Sequence, residues 1–316
     1  MIVFLVKFVF SIAKDENSQR MEITEEEQPR LFALIRELTT ATGTSFPKKI
    51  FLSPDTNAAV FYNSNFWSMF LPIRKNLEIG LGLVNSVNIS EFKAVMAHEF
   101  GHFSQRSMKL GSFTYNVNRV IHNMLYDNKG YTNFLNYWGR LHGVLALLAN
   151  GTAKIAQGIQ WILRGMYAYI NKRYMGLSRE MEFHADAFAA GVAGGNNLVT
   201  ALSRIEIAGG CYNTALSEAN ARVKQNKVSR NIFSNQLTIF RSVAAEYALP
   251  LSQGVPVVPY SFLSSFRGNR INFKNQWASH PTLRERKQHL DELRLEKPAD
   301  HTSAWSLFEG ALAVQE

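Results

Sequence analysis

Apolar residues recur with helical spacing along most of this chain, and strand-like spacing is confined to its first third. Near the beginning, Thr24 and Glu27 have the spacing of a capping box, in which each residue binds the other's backbone at a helix start. Leucine and isoleucine positions from Leu31 to Leu38 then form one helical stripe, and Gly43 is a typical stop. The pattern therefore predicts a helix from Thr24 to about Gly43.

Three short runs after this helix favour strands. Residues 49–53 (KIFLS) and 58–62 (AAVFY) are rich in β-branched and aromatic side chains and are separated by turn residues. Residues 77–84 (LEIGLGLV) predict a third strand, or a strand that leads into a turn.

Helical spacing resumes beyond the strands and continues to the end of the chain. Ser90 is a candidate cap for a helix that extends to about Ser107. Thr282 and Glu285 have capping-box spacing and open a final helix that includes Leu295. The order of elements predicts an α+β fold that is predominantly helical, with a small sheet beside the helix that begins at Ser90.

Two segments are apolar enough to raise the question of a membrane. Residues 1–13 are strongly apolar but too short for a span, and they fit either the tail of a membrane anchor or a buried strand. Residues 247–266 are uncharged but are broken by three prolines, so we expect a loop there.

A third segment, residues 141–171, combines apolar content with one polar stripe and with glycines at positions 151, 158 and 165. Such a helix fits two environments. It packs on the globular core, or it lies in a membrane interface.

The composition limits the metal ligands and the binding partners that this chain can have. The 316 residues are 46% hydrophobic, which is ample for a buried core, and their net charge is +9. Cys211 is the single cysteine, so the chain has no multi-cysteine zinc site and any metal ligands are histidines and carboxylates. The basic residues are dispersed, and we expect no nucleic-acid partner. Their one local cluster consists of Arg222, Lys224, Lys227 and Arg230.

The most specific pattern is His98-Glu99-Phe100-Gly101-His102, which matches H-E-x-x-H. Residues four apart on a helix project from one face, so His98 and His102 can bind one zinc ion. Glu99 is adjacent, where it can accept a proton from a metal-bound water.

A catalytic zinc ion needs a third protein ligand, and the spacing excludes the three-histidine arrangement, because Gln105 and Met108 occupy its glycine and histidine positions. A second helical segment, SREMEFHADAFAAG at 178–191, offers Glu182, with Asp186 one turn later. His184 is an alternative ligand by residue type, although it faces away from Glu182, as does Glu180.

The two motifs together resemble the HtpX-type and CAAX-prenyl-endopeptidase family of zinc metallopeptidases. The resemblance covers about residues 24–295, and it includes 47–62, 77–83 and the segment Ser279-His280-Pro281 with Arg286. It implies a zincin-like peptidase core with a helical insertion between the metal motifs. We therefore expect a single metallopeptidase domain at 21–316, an insertion at about 110–175 and an apolar stub at 1–20.

The resemblance also implies roles for individual residues. His98, His102 and Glu182 would bind one zinc ion, and Asp186 would orient a zinc-bound histidine. Glu99 would be the general base, with His280 and Arg286 stabilising the oxyanion of the tetrahedral intermediate. Without the resemblance, His280 is an ordinary turn residue and Arg286 an exposed helix residue. An extended substrate would bind at the edge strand, which includes Asn57, Ala58, Ala59 and Val60.

The sequence thus predicts a zinc-dependent endopeptidase that acts on a peptide or protein. The excess positive charge favours association with an anionic membrane surface, with the active site on the cytoplasmic side; a soluble cytoplasmic form is the alternative. Two other functions remain open: a zinc-stabilised scaffold without turnover, and a protein that binds anionic surfaces or nucleic acid. Nothing in the pattern indicates an oligomeric state.

Overall fold

Helices form most of the described chain, which in this computed structural model comprises residues 20–61, 75–104, 121, 144–266 and 281–315. The helices are α1 (Pro29–Ala41), α2 (Leu81–Val84), α3 (Ile89–Ser104), α4 (Val144–Ala193), α5 (Gly195–Val223), α6 (Ile232–Glu246), α7 (Tyr260–Phe266), α8 (Leu283–Leu293) and α9 (Ala311–Gln315), with a 3₁₀ turn at Ala304–Leu307. The strands are β1 (Met21–Ile23), β2 (Ile50–Ser53), β3 (Ala58–Phe61), β4 (Asn76–Gly80), β5 (Leu251–Ser252) and β6 (Val255–Pro256). The α+β, predominantly helical class is confirmed.

The chain divides into two compact units. The first comprises Met1–Asp15, Asn63–Pro72 and Arg106–Arg179, and its described part is Ile121 and residues 144–179 of α4. The second comprises Glu16–Tyr62, Ile73–Gln105 and Glu180–Glu316, and it contains the sheet and the other helices. The boundaries expected at residue 20 and at about 110–175 stay predictions, and the apolar stub at 1–19 lies outside the described residues.

The sheet has four strands in the order β1-β2-β4-β3, so β3 forms one edge of it. Strand β2 runs parallel to β4, while β3 runs antiparallel to β4, with Ala58 opposite Ile79. Helix α3 packs against β3. Buried side chains from α1, the central strands and α3 form one apolar core, which includes Leu31, Ile35, Ile50, Leu52, Leu77, Ile79, Phe92, Met96 and Phe100.

The first helix begins later than predicted. Thr24 and Glu27 do interact, because Glu27 Oε2 accepts a hydrogen bond from the Thr24 backbone N–H at 2.8 Å, but they close a turn that precedes the helix. Helix α1 begins at Pro29. Proline lacks an N–H and suits the first helical position, while it disfavours helical geometry in the residue before it. Gly43, with φ of +60°, follows the helix end as expected.

The cap of α3 is Asn88 rather than Ser90. Asn88 Oδ1 accepts from the Glu91 N–H at 2.8 Å, and Glu91 Oε2 accepts from the Asn88 N–H at 3.0 Å. Ser90 instead accepts a hydrogen bond from the Asp300 N–H at 2.7 Å. Glu91 Oε2 also lies 2.7 Å from Arg204 Nη1 on α5, so this buried pair joins the start of α3 to its neighbour.

Two expectations near the end of the chain also need correction. The Thr282–Glu285 capping box is present, but α8 ends at Leu293, and Leu295 lies beyond the helix. Helix α8 is not the last, because the 3₁₀ turn and α9 follow it. The expected loop at 247–266 contains the β5–β6 hairpin and α7.

At Gly80 two segments of the backbone approach each other closely. The segment that leads into β3 crosses over the end of β4, and the Gly80 N–H donates to the Asn57 carbonyl at 2.8 Å. A Cβ atom on Gly80 would lie 2.2 Å from the Asp55 carbonyl oxygen and 2.4 Å from that of Asn57. The absence of a side chain at Gly80 therefore sets the position of the loop before the edge strand.

We expect Gly80→Ala to destabilise the protein by about 3 kcal/mol or more, since two backbone oxygens must move to admit the methyl group. Equilibrium unfolding in urea measures the change. Gly209→Ala is the matched control, because its Cβ would meet Thr56 Oγ1 at an ordinary 3.4 Å and alanine favours helix α5. Equal stability of the two variants would contradict the account of Gly80.

Candidate metal centre

Helices α3 and α4 bring three ligand atoms together. His98 Nε2 lies 3.2 Å from His102 Nε2 and 3.4 Å from Glu182 Oε2, and His102 Nε2 lies 3.3 Å from Glu182 Oε1. The two histidines are one turn apart on α3, while Glu182 comes from α4. The three predicted metal ligands thus converge, and within the described chain this is the group of His, Cys and acidic side chains that could hold a metal ion.

The spacing of these atoms fits a tetrahedral metal ion. Zinc bonds to nitrogen and oxygen of about 2.0–2.2 Å, at tetrahedral angles, place ligand atoms about 3.3–3.6 Å apart. The two histidine nitrogens lie 3.2 Å apart, just below that range, and Glu182 places Oε2 3.4 Å from His98 and Oε1 3.3 Å from His102, within it. Two imidazoles and one carboxylate also form a donor set that zinc accepts.

The outer nitrogen of His98 has a carboxylate partner. Asp186, one turn after Glu182, places Oδ1 2.9 Å from His98 Nδ1, and Asp186 is fully buried. An N–H on Nδ1 leaves Nε2 with its lone pair toward the other two ligands. Burial alone would lower the pKa of His98, but hydrogen bonds to Asp186 and Glu182 outweigh it and raise the pKa to about 9. The same negative charge favours a cation at this centre.

Arg286, from α8, completes the buried surroundings of Asp186. Its Nε donates to Asp186 Oδ2 at 2.8 Å, and its Nη2 donates to Oδ1. Burial would raise the pKa of Asp186, but the Arg286 guanidinium and His98 hold it below its ordinary value. Asp186 is therefore an ionised acceptor for His98.

Glu99 is half-buried and follows His98 directly on α3. Burial raises the pKa of Glu99 above its ordinary value, against the opposing effect of His98 and His102. A carboxylate with a raised pKa is a better proton acceptor, which is the property that a general base needs.

The two helices can approach this closely because residue 101 is glycine. A Cβ on Gly101 would lie 3.0 Å from the Ala185 Cα, 3.2 Å from the Ala185 carbonyl oxygen and 3.2 Å from the Phe188 Cβ. Ala185 lies between Glu182 and Asp186, so Gly101 packs against the backbone that presents both carboxylates. Sequence reasoning missed Gly101, although an isolated glycine inside an apolar helix is itself a signal of close packing.

The other residues that the sequence predicted for the site differ in their exposure to solvent and in their position. Glu180 and His184 are exposed and lie outside the ligand group, as their spacing from Glu182 indicated. His280 lies outside the described residues. Arg286 is buried rather than an exposed helix residue. On the edge strand and its approach, Asn57 is exposed, and Ala58, Ala59 and Val60 are half-buried.

Comparison with known proteins identifies relatives of this chain. Residues 25–294 match the model of Peptidase family M48. A stretch of 220 residues is 29% identical to Protease HtpX of Hahella chejuensis and covers 65% of each chain. A Protease HtpX homolog of Burkholderia cenocepacia is 26% identical over 185 residues, which is 58% of each chain. One from Pelotomaculum thermopropionicum is 28% identical over 90 residues, which is 28% of this chain and 30% of the relative.

Among solved structures, the crystal structure of S. mikatae Ste24p matches with a TM-score of 0.44 and 16% identity, over 92% of this chain and 56% of that one. The chain thus spans less than two thirds of the length of each of these proteins.

Gly101→Ala tests the close contact between α3 and α4. Alanine favours a helix by about 1 kcal/mol, but here its methyl group must push Ala185 away, so we expect a net loss of about 1–3 kcal/mol in metal-free protein. Urea unfolding in the presence of a chelator measures it.

Gly191→Ala is the matched control. Gly191 is an exposed glycine within α4, and a Cβ atom added to it would have no neighbour within 4 Å. This variant should be as stable as the parent or slightly more stable. A Gly101→Ala protein as stable as Gly191→Ala would refute the packing constraint.

Proposed function

This chain belongs to peptidase family M48, and we propose that it is a zinc-dependent endopeptidase that hydrolyses peptide bonds in a peptide or protein substrate. The convergence of His98, His102 and Glu182, with Glu99 adjacent to His98, is the observation that carries this proposal. The separations between the two imidazole nitrogens and the Glu182 carboxylate oxygens suit one zinc ion per chain, for which two histidines and a glutamate are a known catalytic ligand set.

A zinc ion bound by these three side chains would supply Lewis acidity, which polarises a peptide carbonyl and makes water a nucleophile near neutral pH. The chain's own contribution is proton transfer and orientation. Glu99 would accept a proton from the attacking water and deliver it to the nitrogen of the leaving amine. Asp186 would hold the Nδ1 proton of His98, so that this ligand keeps one tautomer.

The substrate would bind along β3. In an edge strand, alternate residues direct their N–H and C=O groups away from the neighbouring strand, where an extended peptide can add to the sheet. Because β4 is the strand that pairs with β3 among the described residues, and α3 packs against β3, Ala58, Ala59 and Val60 are suitably placed for this role. The Asn57 carbonyl is already bonded to Gly80, so Asn57 would bind substrate through its side chain. By the family resemblance, His280 would stabilise the oxyanion.

The proposal also includes attachment to a membrane surface. In the described residues, no helix has the length and apolarity needed to cross a bilayer. Among the exposed apolar side chains of α4, Ile155, Ile162, Met166 and Tyr169 have separations of 7, 4 and 3 residues, which place them on one face. Exposed apolar stripes of this kind favour an interface, and the net charge of +9 favours an anionic, cytoplasmic leaflet.

Glu99→Gln should retain one zinc ion per chain and lose cleavage of unfolded casein by about 10²- to 10⁴-fold, because glutamine cannot accept the proton. Zinc analysis and initial rates, with and without detergent, measure both properties. Glu180→Gln, the same change at an exposed position on α4, should cleave at the parental rate.

Full activity of zinc-loaded Glu99→Gln would remove Glu99 from the mechanism. A parent protein that binds zinc but cleaves nothing would instead favour the scaffold function.

For the membrane surface, Ile162→Glu should weaken binding to vesicles that contain anionic lipid by about 10-fold, since it replaces an exposed apolar side chain with a charge. Co-sedimentation measures the partition. Gln157→Glu adds the same charge on the opposite face of α4 and should have a much smaller effect. Equal losses in both variants would show that only charge matters and that the stripe does not bind lipid.

A further inference from the structure

Arg286 and Asp186 form a two-point contact that is almost wholly buried. The guanidinium places Nε 2.8 Å from Asp186 Oδ2 and donates from Nη2 to Oδ1, and the same Nη2 lies 3.3 Å from His98 Nδ1. The exposed fractions are 7% for Arg286 and 0% for Asp186. Both oxygens of the carboxylate are therefore engaged by one planar group.

This contact determines where Asp186 presents Oδ1. A carboxylate that has one hydrogen-bond partner can rotate about its last torsion. A guanidinium that donates to both carboxylate oxygens fixes the plane of the carboxylate. The same Oδ1 lies 2.9 Å from His98 Nδ1. Arg286 thereby orients the imidazole whose other nitrogen faces His102 and Glu182.

The charge of Arg286 favours the same role. Asp186 is a buried carboxylate, and Arg286 is a permanent cation in direct contact with it. Losing the guanidinium would leave Asp186 buried with His98 as its partner, which is costly in a dry site.

The guanidinium is also held on a rigid support. Arg286 is in the first turn of α8, where its backbone N–H donates to the Thr282 carbonyl at 3.0 Å. The Thr282–Glu285 capping box closes the start of this helix. Leu283 and Leu290 are buried on either side of it.

We propose that Arg286 is a positioning residue for the metal ligand His98, acting through Asp186, and that it does not contact the reacting oxygen as the family resemblance implied. The inference rests on the proposed metal site. It predicts that changes at Arg286 alter metal affinity and ligand geometry, whereas a direct oxyanion donor would alter kcat alone.

Arg286→Lys keeps the positive charge but cannot donate to both Asp186 oxygens at once. We therefore expect zinc to bind about 10- to 100-fold more weakly, as is usual when the partner of a metal-bound histidine is disturbed. Competition with a chromophoric chelator gives the affinity, and the visible absorption of the Co²⁺-substituted protein should change in position or intensity. Arg284→Lys, at an exposed position two residues earlier on α8, should match the parent in both measurements.

If Arg286→Lys binds zinc within twofold of the parent and gives the parental Co²⁺ spectrum, the inference is overturned, and a reduced kcat would then assign Arg286 to the oxyanion. If the parent itself binds no zinc, the proposed function fails together with the inference. Should Arg286→Lys not fold, Asp186→Asn/Arg286→Gln leaves no buried charge unpaired, and the same affinity criterion applies to it.

Discussion

The close packing of α3 on α4 is the contact on which the candidate site depends. His98 and His102 belong to one helix, Glu182 and Asp186 to the other, and 80 residues separate the second and third ligands along the chain. A side chain at position 101 would keep the helix backbones apart, since its Cβ would lie 3.0 Å from the Cα of Ala185. Ligand atoms must be placed to within a few tenths of an ångström, so glycine at this position allows the two helices to bring the candidate ligands together.

Buried ion pairs then fix the orientation of the side chains that the packing of α3 on α4 brings together. Asp186 and Arg286 lie on the outer side of His98, and Glu91 and Arg204 join the start of α3 to α5. Buried pairs are poor sources of stability, because desolvation offsets most of their attraction. Their hydrogen bonds tolerate little change in distance or angle, however, and they therefore hold α3 in one position, with both histidines directed to the same point.

The sequence predicted the parts of the site that depend on local spacing and missed those that depend on distant contacts. Helical spacing is enough to put His98 with His102, and Glu182 with Asp186, and to turn Glu180 and His184 away. Local signals also identified β2, β3, β4 and the Thr282 cap, but they missed β1 and the β5–β6 hairpin. The cap of α3 was misplaced because Asn88 and Ser90 are both good cap residues, and the choice is decided by Asp300, 210 residues away, which donates to Ser90. The pairing of Arg286 with Asp186 spans 100 residues and could not be read from spacing.

The helix that carries His98, Glu99 and His102 also packs against the edge strand β3, and this arrangement links the candidate metal centre to the proposed substrate site. The position of β3 depends in turn on Gly80, where the preceding loop lies directly on the backbone of β4. Hydrolysis requires the scissile carbonyl to be held within a few tenths of an ångström of its productive position. A proposed substrate strand that packs directly against the helix of the candidate ligands would meet this requirement. The close contacts at Gly80 and Gly101 would then serve the same purpose, since one positions the proposed substrate edge and the other positions the candidate ligands.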